Sequence, residues 1–395
     1  MKIFANRILT LLFLLTALAT SAYADSLEEA EALELQQRQA FESQFPQIIE
    51  SLSLGSVELF AKSIDKTDFL NRIFGLRLID QSVKKGFTES MQTRFSSFVA
   101  HSFDDSKGDI RPVILGLESR GDRARALVRF NLPKLQFTYQ EYELRLDENG
   151  RVIIIDWIDY LHGQSFTDAA GIALVQQAPN MRAARKLLNV QYVSDADLFQ
   201  FTELMKAARD RQVERYSDIY KGLNPDLQKQ RVVVLMHVQL SRAVNNRRFL
   251  RQSLVEVAKY FPDEPLFSIM LLDYYVPTKQ YDAAMAGLQR TYAEFDFEDA
   301  AMEARLSAIT LAKDNAADAA AYAERAVLIE PGLELGWWSA LRARVAIADF
   351  PGSVEALQQL EEHHGHTLGA EELKGDKSFA PLLASDEFKS WAASR

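Results

Sequence analysis

The spacing of apolar positions changes several times along the chain, and each change marks a segment. From residue 25 to about residue 45, Leu27, Ala30, Leu33 and Leu35 sit among glutamates and glutamines, the pattern of a solvated amphipathic helix. Pro46 interrupts that run and Gly55 weakens the next. Over residues 67–101, Phe69, Leu70, Ile73, Phe74, Leu76, Leu78, Phe87, Met91, Phe95 and Phe98 recur mostly at helical spacing.

A period of two takes over from Pro112 to His162 and predicts four strands. Arg123, Arg125 and Arg129 alternate with Ala124, Ala126, Val128 and Phe130, and Asn131 to Lys134 break the run. A long stretch from Leu135 to Leu146 follows, then a turn at Asp147 to Gly150, where glycine supplies a positive φ. The last stretch, from Arg151, is apolar on both faces (Val152, Ile153, Ile154, Ile155, Trp157, Ile158), as a central strand requires. Short connections between successive strands predict an antiparallel meander. Helices followed by four antiparallel strands, over residues 46–165, resemble the NTF2-like or cystatin-like α+β class. That resemblance rests on element order and implies a curved sheet wrapped around helices as a cone.

Beyond Gly163 only helical spacing remains. Ser165 and Ser194 each precede a helical run and are placed to accept an orphan backbone N–H. Residues 166–230 read as a helical connector. From there helical stretches open near Arg231, Pro265, Ala300 and Glu334, spaced 34, 35 and 34 residues apart. Leu271, Leu272, Tyr275, Tyr281, Ala284 and Leu288 in one unit, Ala319, Ala326 and Pro331 in the next, and Trp337, Leu341, Phe350 and Leu357 in the last carry a pattern of large and small packing residues. On these residues, 231–367 resembles the tetratricopeptide-repeat family. The first unit departs most, with Leu250, Leu254 and Val257 where small residues are expected. The fold class expected is an α+β domain with a four-stranded antiparallel sheet, followed by an all-α repeat solenoid. Residues 368–395, with Phe379, Leu382, Phe388 and Trp391, read as the cap that a solenoid end needs.

The first residues have another purpose. Lys2 and Arg7 precede an apolar run of about a dozen residues, too short for the roughly 20 that span a bilayer, and Ala22-Tyr23-Ala24 closes it. This predicts a secretory signal peptide cleaved after Ala24, hence a periplasmic protein with no integral span. Cleavage removes two positive charges and shifts the net charge from −10 to −12. The 395 residues contain no cysteine, which excludes disulfides, thiolate chemistry and cysteine-held metals. An acidic balance also argues against a nucleic-acid partner. One stretch runs against it: Met205–Arg251 holds eleven Lys/Arg and four Asp/Glu. It suits an acidic partner, a lipid headgroup or peptidoglycan phosphate neighbours, or equally pairing within the protein, the acidic N-terminal helix included.

No phosphate loop, dinucleotide fingerprint, H-E-x-x-H or G-x-S-x-G occurs. Asp156, Tyr160 and His162 share a strand face by even spacing. They suit either an acid–base pocket inside a cone or a strand edge whose polar groups satisfy one another. His363, His364 and His366 suit a helix C-terminus, where donor side chains are favourable; no metal or cofactor is assigned. The repeat resemblance implies a concave face formed by the first helix of each pair, presenting Leu235, Gln239, Arg242, Ile269, Asp273, Ala304, Ala308, Trp338 and Arg342. The Lys/Asn clamp by which chaperone-type repeats grip a terminal carboxylate is not recognisable. The expected function is a non-enzymatic scaffold or adaptor binding another envelope protein or peptide segment in that groove. The alternative is a small-molecule site or acid–base enzyme in the α+β domain.

Overall fold

The computed structural model describes residues 30–394 apart from 76, 101–102, 104–110, 133–134, 189, 191 and 296. The signal segment and its cleavage point lie outside the described residues. Helix α1 (residues 30–53) is followed by α2 (Val57–Lys62), α3 (Lys66–Phe74) and α4 (Gln81–Ala100). Asp65 starts α3 by accepting the N–H groups of Thr67 and Asp68 at 3.0 and 3.1 Å.

The sheet is a sequential antiparallel meander of β1 (Arg111–Arg120), β2 (Arg123–Leu132), β3 (Gln136–Leu146), β4 (Val152–Asp159) and β5 (Gln164–Ser165). The expectation of four strands is thus corrected to five, because the chain after the Asp159–Gly163 turn pairs back on β4 through Ile158 and Asp159. One face of the sheet (Ala124, Ala126, Val128, Phe130, Tyr142, Leu144, Ile154, Trp157) packs on the first four helices. Tyr142, Phe60, Phe69 and Trp157 are at most 1% exposed, and Trp157 stacks on Phe166 with ring centroids 4.3 Å apart. The interior that a cone would offer a ligand is therefore filled by aromatic side chains.

Helices α5 (Phe166–Gln177) and α6 (Met181–Leu187) lead to α7 (Asp195–Arg209) and α8 (Val213–Gly222), then the short α9 (Pro225–Gln228). Four further helix pairs follow: α10 (Arg231–Ala243) with α11 (Arg247–Tyr260), α12 (Pro265–Tyr275) with α13 (Tyr281–Phe295), α14 (Ala300–Ala312) with α15 (Ala316–Ile329), and α16 (Glu334–Ala346) with α17 (Phe350–His364).

The turns between paired helices repeat in detail. Arg211, Asn245, Lys279, Asp314 and Ala348 all have positive φ, at intervals of 34, 34, 35 and 34 residues. After each, the next N–H reaches back five residues: Gln212 to Ala207, Asn246 to Ser241, Gln280 to Tyr275, Asn315 to Thr310 and Asp349 to Arg344. This is the helix-closing bond of a Schellman turn. The periodic array thus has five hairpins and begins at α7, inside the segment that sequence spacing assigned to a connector. Its C-terminal end is covered by α18 (Ala370–Leu373), a 3₁₀ turn (Lys377–Phe379), α19 (Ala380–Ala384) and α20 (Asp386–Ala393), whose Phe379, Leu382, Phe388 and Trp391 bury against Trp337, Leu341, Leu357 and Leu360. No described helix is long and apolar enough to cross a membrane.

The sheet's second face docks on the array. Leu127, Phe137, Tyr139 and Tyr160 share one core with Val234, Leu235, Val238, Phe267, Phe295 and Met302. Gly116 lets the Phe297 ring lie where a Cβ would be, and Gly163 does the same for Phe267. At the centre of this interface the fully buried Arg129 of β2 pairs with Asp299, the N-cap of α14, and its Nη2 lies 2.6 Å from Glu330. Helices, sheet and hairpins therefore form three layers, with the sheet in the middle.

Candidate functional site

Docking the sheet against the hairpins uses up much of the surface that the repeat pattern implies for ligand. Leu235 and Ala304 are buried, and Gln239 is half-buried outside the remaining groove. Arg242 donates from Nη1 to the Leu161 carbonyl at 2.7 Å, which ties α10 to the turn after β4. Trp338 donates to Glu334 at 3.2 Å, with the Arg342 guanidinium 5.6 Å above its ring.

What is left is a groove of about 800 Å³ between the β2–β3 turn and the inner sides of the hairpins. Ile269, Asp273, Ala308 and Arg342 line it; Leu235, Gln239, Arg242 and Trp338 do not. Its walls are apolar, with Leu132, Leu135 and Phe137 from the strand turn facing Leu250, Leu254 and Leu272 from the hairpins. Four arginines, Arg247, Arg251, Arg305 and Arg342, stand among them, against one carboxylate, Asp273.

These charges are unevenly neutralised. Arg247 and Arg251 lie one turn apart at the start of α11, both exposed, and neither meets a carboxylate among the described residues. Arg305 places its guanidinium 5.3 Å from the centre of the Phe137 ring, and its buried Nε has no hydrogen-bond partner among the described residues. Burial lowers its pKa, opposed by Tyr139 and Asp273. Arg342 lies 3.9 Å from Asp376. Asp273 is exposed at the groove surface but closely surrounded by protein; this desolvation raises its carboxyl pKa, while Arg242 and Arg305 pull it down.

Sequence spacing missed Arg247, Arg251 and Arg305. The first two lie on a second helix, where no ligand contact was expected. The signal for them was present: Leu250 and Leu254 are the residues that break the small-residue pattern of that unit, and the arginines flank them.

The triad proposed on the last strand divides. Asp156 lies opposite Glu143 and faces away from the cone interior, on a hollow of about 620 Å³ that Arg120, Arg123, Arg125, Glu141 and Glu143 also line. Asp156 accepts from Thr167 N at 3.1 Å, Trp157 N at 2.9 Å and the Thr167 hydroxyl, so it anchors the start of α5. Burial raises its pKa against the pull of those bonds. Tyr160 Oη lies 3.4 Å from Glu141 Oε2, and burial pushes its phenol up. His162 sits past the strand end and contacts Asp159 at 3.0 Å, so even spacing fails for it. Four of the hollow's charges pair with one another, Arg125 with Glu141 at 2.6 Å and Arg123 with Glu143 at 3.5 Å.

The histidines near residue 364 end α17, where Gly365 adopts φ 69°. His366 Nε2 lies 2.7 Å from Glu334, and burial lowers the His364 pKa. Among the described residues no three His, Asp or Glu side chains converge as a metal ion needs. In the basic stretch, ion pairs among the described residues join Lys206 and Arg215 to Glu203, Arg209 to Asp210, Lys221 to Asp218, Lys229 to Asp226 and Arg231 to Glu264. None of these pairs involves α1.

No protein-family model matches this chain, and the search of curated proteins gives no match.

Proposed function

We propose that this protein is an exported, non-enzymatic binding scaffold of the cell envelope, whose tetratricopeptide-like hairpins hold an acidic, apolar polypeptide segment in the groove beside the β2–β3 turn. The observation that carries this reading is the groove's composition: apolar walls with four arginines and a single carboxylate. Apolar side chains supply affinity when an extended or helical segment buries them, and the arginines select carboxylates by charge and fork geometry. The sheet covers part of the hairpins' inner face, and the groove is the part of that face beside the sheet that stays open to a partner. Export follows from the first 24 residues, and N-terminal sequencing of the secreted chain should read from Asp25.

The test is affinity capture from envelope extracts with the wild type and an Arg251→Glu/Arg342→Glu variant. The reading requires a partner set held by the wild type and lost by the variant. Identical sets, or empty ones, sink it.

A second reading places a small polar ligand in the hollow lined by Asp156 and Ser165. A metabolite-screen thermal shift that Asp156→Asn abolishes would support it.

A further inference from the structure

The N-terminal stretch of α1 lies exposed, unburied by any of the described residues. The stripe that buries Phe41, Phe45, Ile48 and Leu52 continues toward the N-terminus through Gln37 and Leu33. Gln37 lies against Gly121 in the β1–β2 turn, and Gln44 bonds Gly150 and Val152 at the β3–β4 turn, both at 2.9 Å. Ahead of Gln37 the helix runs past the end of the sheet. Residues 30–36 are all exposed, with Leu33 and Leu35 at 54% and 53%.

This arm is also strongly acidic. Glu31 and Glu34 meet no cation among the described residues, and Asp25, Glu28 and Glu29 precede them in sequence. The first positive charge after the cleavage point is Arg38. Leucines flanked by Glu31 and Glu34 complement an apolar groove flanked by Arg247 and Arg251, all four unpaired among the described residues.

We infer that the α1 arm of one copy of this protein docks in the arginine-lined groove of a second copy. The inference rests on the groove reading above and names the occupant. The arm cannot fill its own groove: it leaves the sheet at the β1–β2 and β3–β4 turns, whereas the groove opens at the β2–β3 turn. These lie at opposite ends of the ten-residue β2, about 30 Å apart at the rise of an extended strand. An anionic lipid surface would repel the arm's carboxylates. Donor and acceptor surfaces are therefore different and sit at opposite ends. Such a contact is heterologous: it joins copies head to tail into rings or open chains, unlike a closed two-fold dimer.

Charge reversal gives a test with a built-in folding control. Sedimentation velocity of the chain from Asp25 should show a mass that rises with concentration past the dimer and falls with salt. Glu31→Lys/Glu34→Lys and Arg247→Glu/Arg251→Glu should each weaken self-association by at least about tenfold. Mixing the two variants should restore it, because each then offers the surface the other lacks. A labelled synthetic peptide of residues 25–40 should bind a chain lacking residues 25–36 and lose affinity on the Arg247→Glu/Arg251→Glu groove. A wild type that stays monomeric with no peptide binding overturns the inference, as does association that survives both reversals. If self-association is absent while Arg251→Glu/Arg342→Glu still loses envelope partners, the inference alone falls. If the groove captures neither, both fall.

Discussion

Arg129 on β2 and Asp299 at the start of α14 meet as an ion pair with neither side chain more than 1% exposed, and they join the sheet to the hairpin array. Asp299 also accepts from the Tyr139 hydroxyl at 2.5 Å and from the Met302 N–H at 3.0 Å. One carboxylate thus neutralises a buried cation, satisfies a buried phenol and caps a helix. Its desolvation and charge push the Tyr139 pKa up. Breaking a buried pair by removing one partner leaves the other charge uncompensated. Asp299→Ala should therefore cost about 3–5 kcal/mol in urea unfolding. Changing Arg129→Met as well should cost less than the sum of the two single variants.

Gly116 and Phe297 make the same junction sterically. An added Cβ at Gly116 would fall 2.0 Å from the ring's Cζ. Gly116→Ala should therefore cost about 1–3 kcal/mol, the range for overfilling a packed site. In a Phe297→Ala background the same change should cost markedly less, since the ring that it strikes is gone. A double-mutant cycle on thermal midpoints measures that coupling; additive losses would remove the ring contact as the cause.

Those two junctions also explain what the sequence hid. The strands from residue 112 to 162 and the hairpins opening at Arg231, Pro265, Ala300 and Glu334 were legible because their apolar periods differ. The first hairpin, α7 with α8, was not: α9 (Pro225–Gln228) follows it and lengthens the spacing of helix starts to 36 residues. Only the left-handed turn residue Arg211 keeps the 34-residue beat with Asn245, and an arginine carries no compositional sign of positive φ. The groove was half legible. The repeat resemblance implied an inner face with Ile269, Asp273 and Arg342, but could not show that the sheet would cover Leu235 and Ala304. That docking depends on Arg129, one of three arginines alternating along β2. Arg125 bonds Glu141 on the sheet surface, while Arg129 is fully buried, and one period of alternation cannot separate them.

Asp156 and Asp159 should give opposite pH signatures although they lie three residues apart. Burial raises the Asp156 pKa, so its folded form binds a proton more readily than the unfolded chain does. Its ionisation opposes folding, and the stability of the wild type relative to Asp156→Asn should improve as pH falls toward the ordinary aspartate range near 4. At Asp159 burial also opposes ionisation, but His162 and the N–H groups of Leu161 and His162 outweigh it, and the net shift is downward. Its contribution is complete above the unfolded value and is lost as pH drops through the lowered one. Relative to Asp159→Asn, the wild type should therefore lose stability on acidification. Urea titrations of the three proteins between pH 3 and pH 7 should show slopes of opposite sign.

Asp273 tests whether the groove's charge is a binding determinant or a by-product of packing. It is the one carboxylate among the groove's lining residues, and desolvation raises its pKa despite Arg242 and Arg305. A raised native pKa means that ionisation works against folding. Asp273→Asn should thus stabilise the protein at neutral pH, and the gain should shrink as pH falls through the window between the raised native value and the ordinary aspartate value. The same substitution makes the groove more positive without touching its apolar walls. Binding of the acidic 25–40 peptide should tighten by up to about fivefold at low salt, the scale of one partly screened charge pair, and the difference should fade at high salt. Asp273→Lys should tighten it further, whereas an uncharged peptide of the same leucine spacing should not distinguish the three proteins. If Asp273→Asn stabilises the fold but leaves peptide affinity unchanged at low salt, the arginines serve packing alone and carboxylate selection in the groove is wrong.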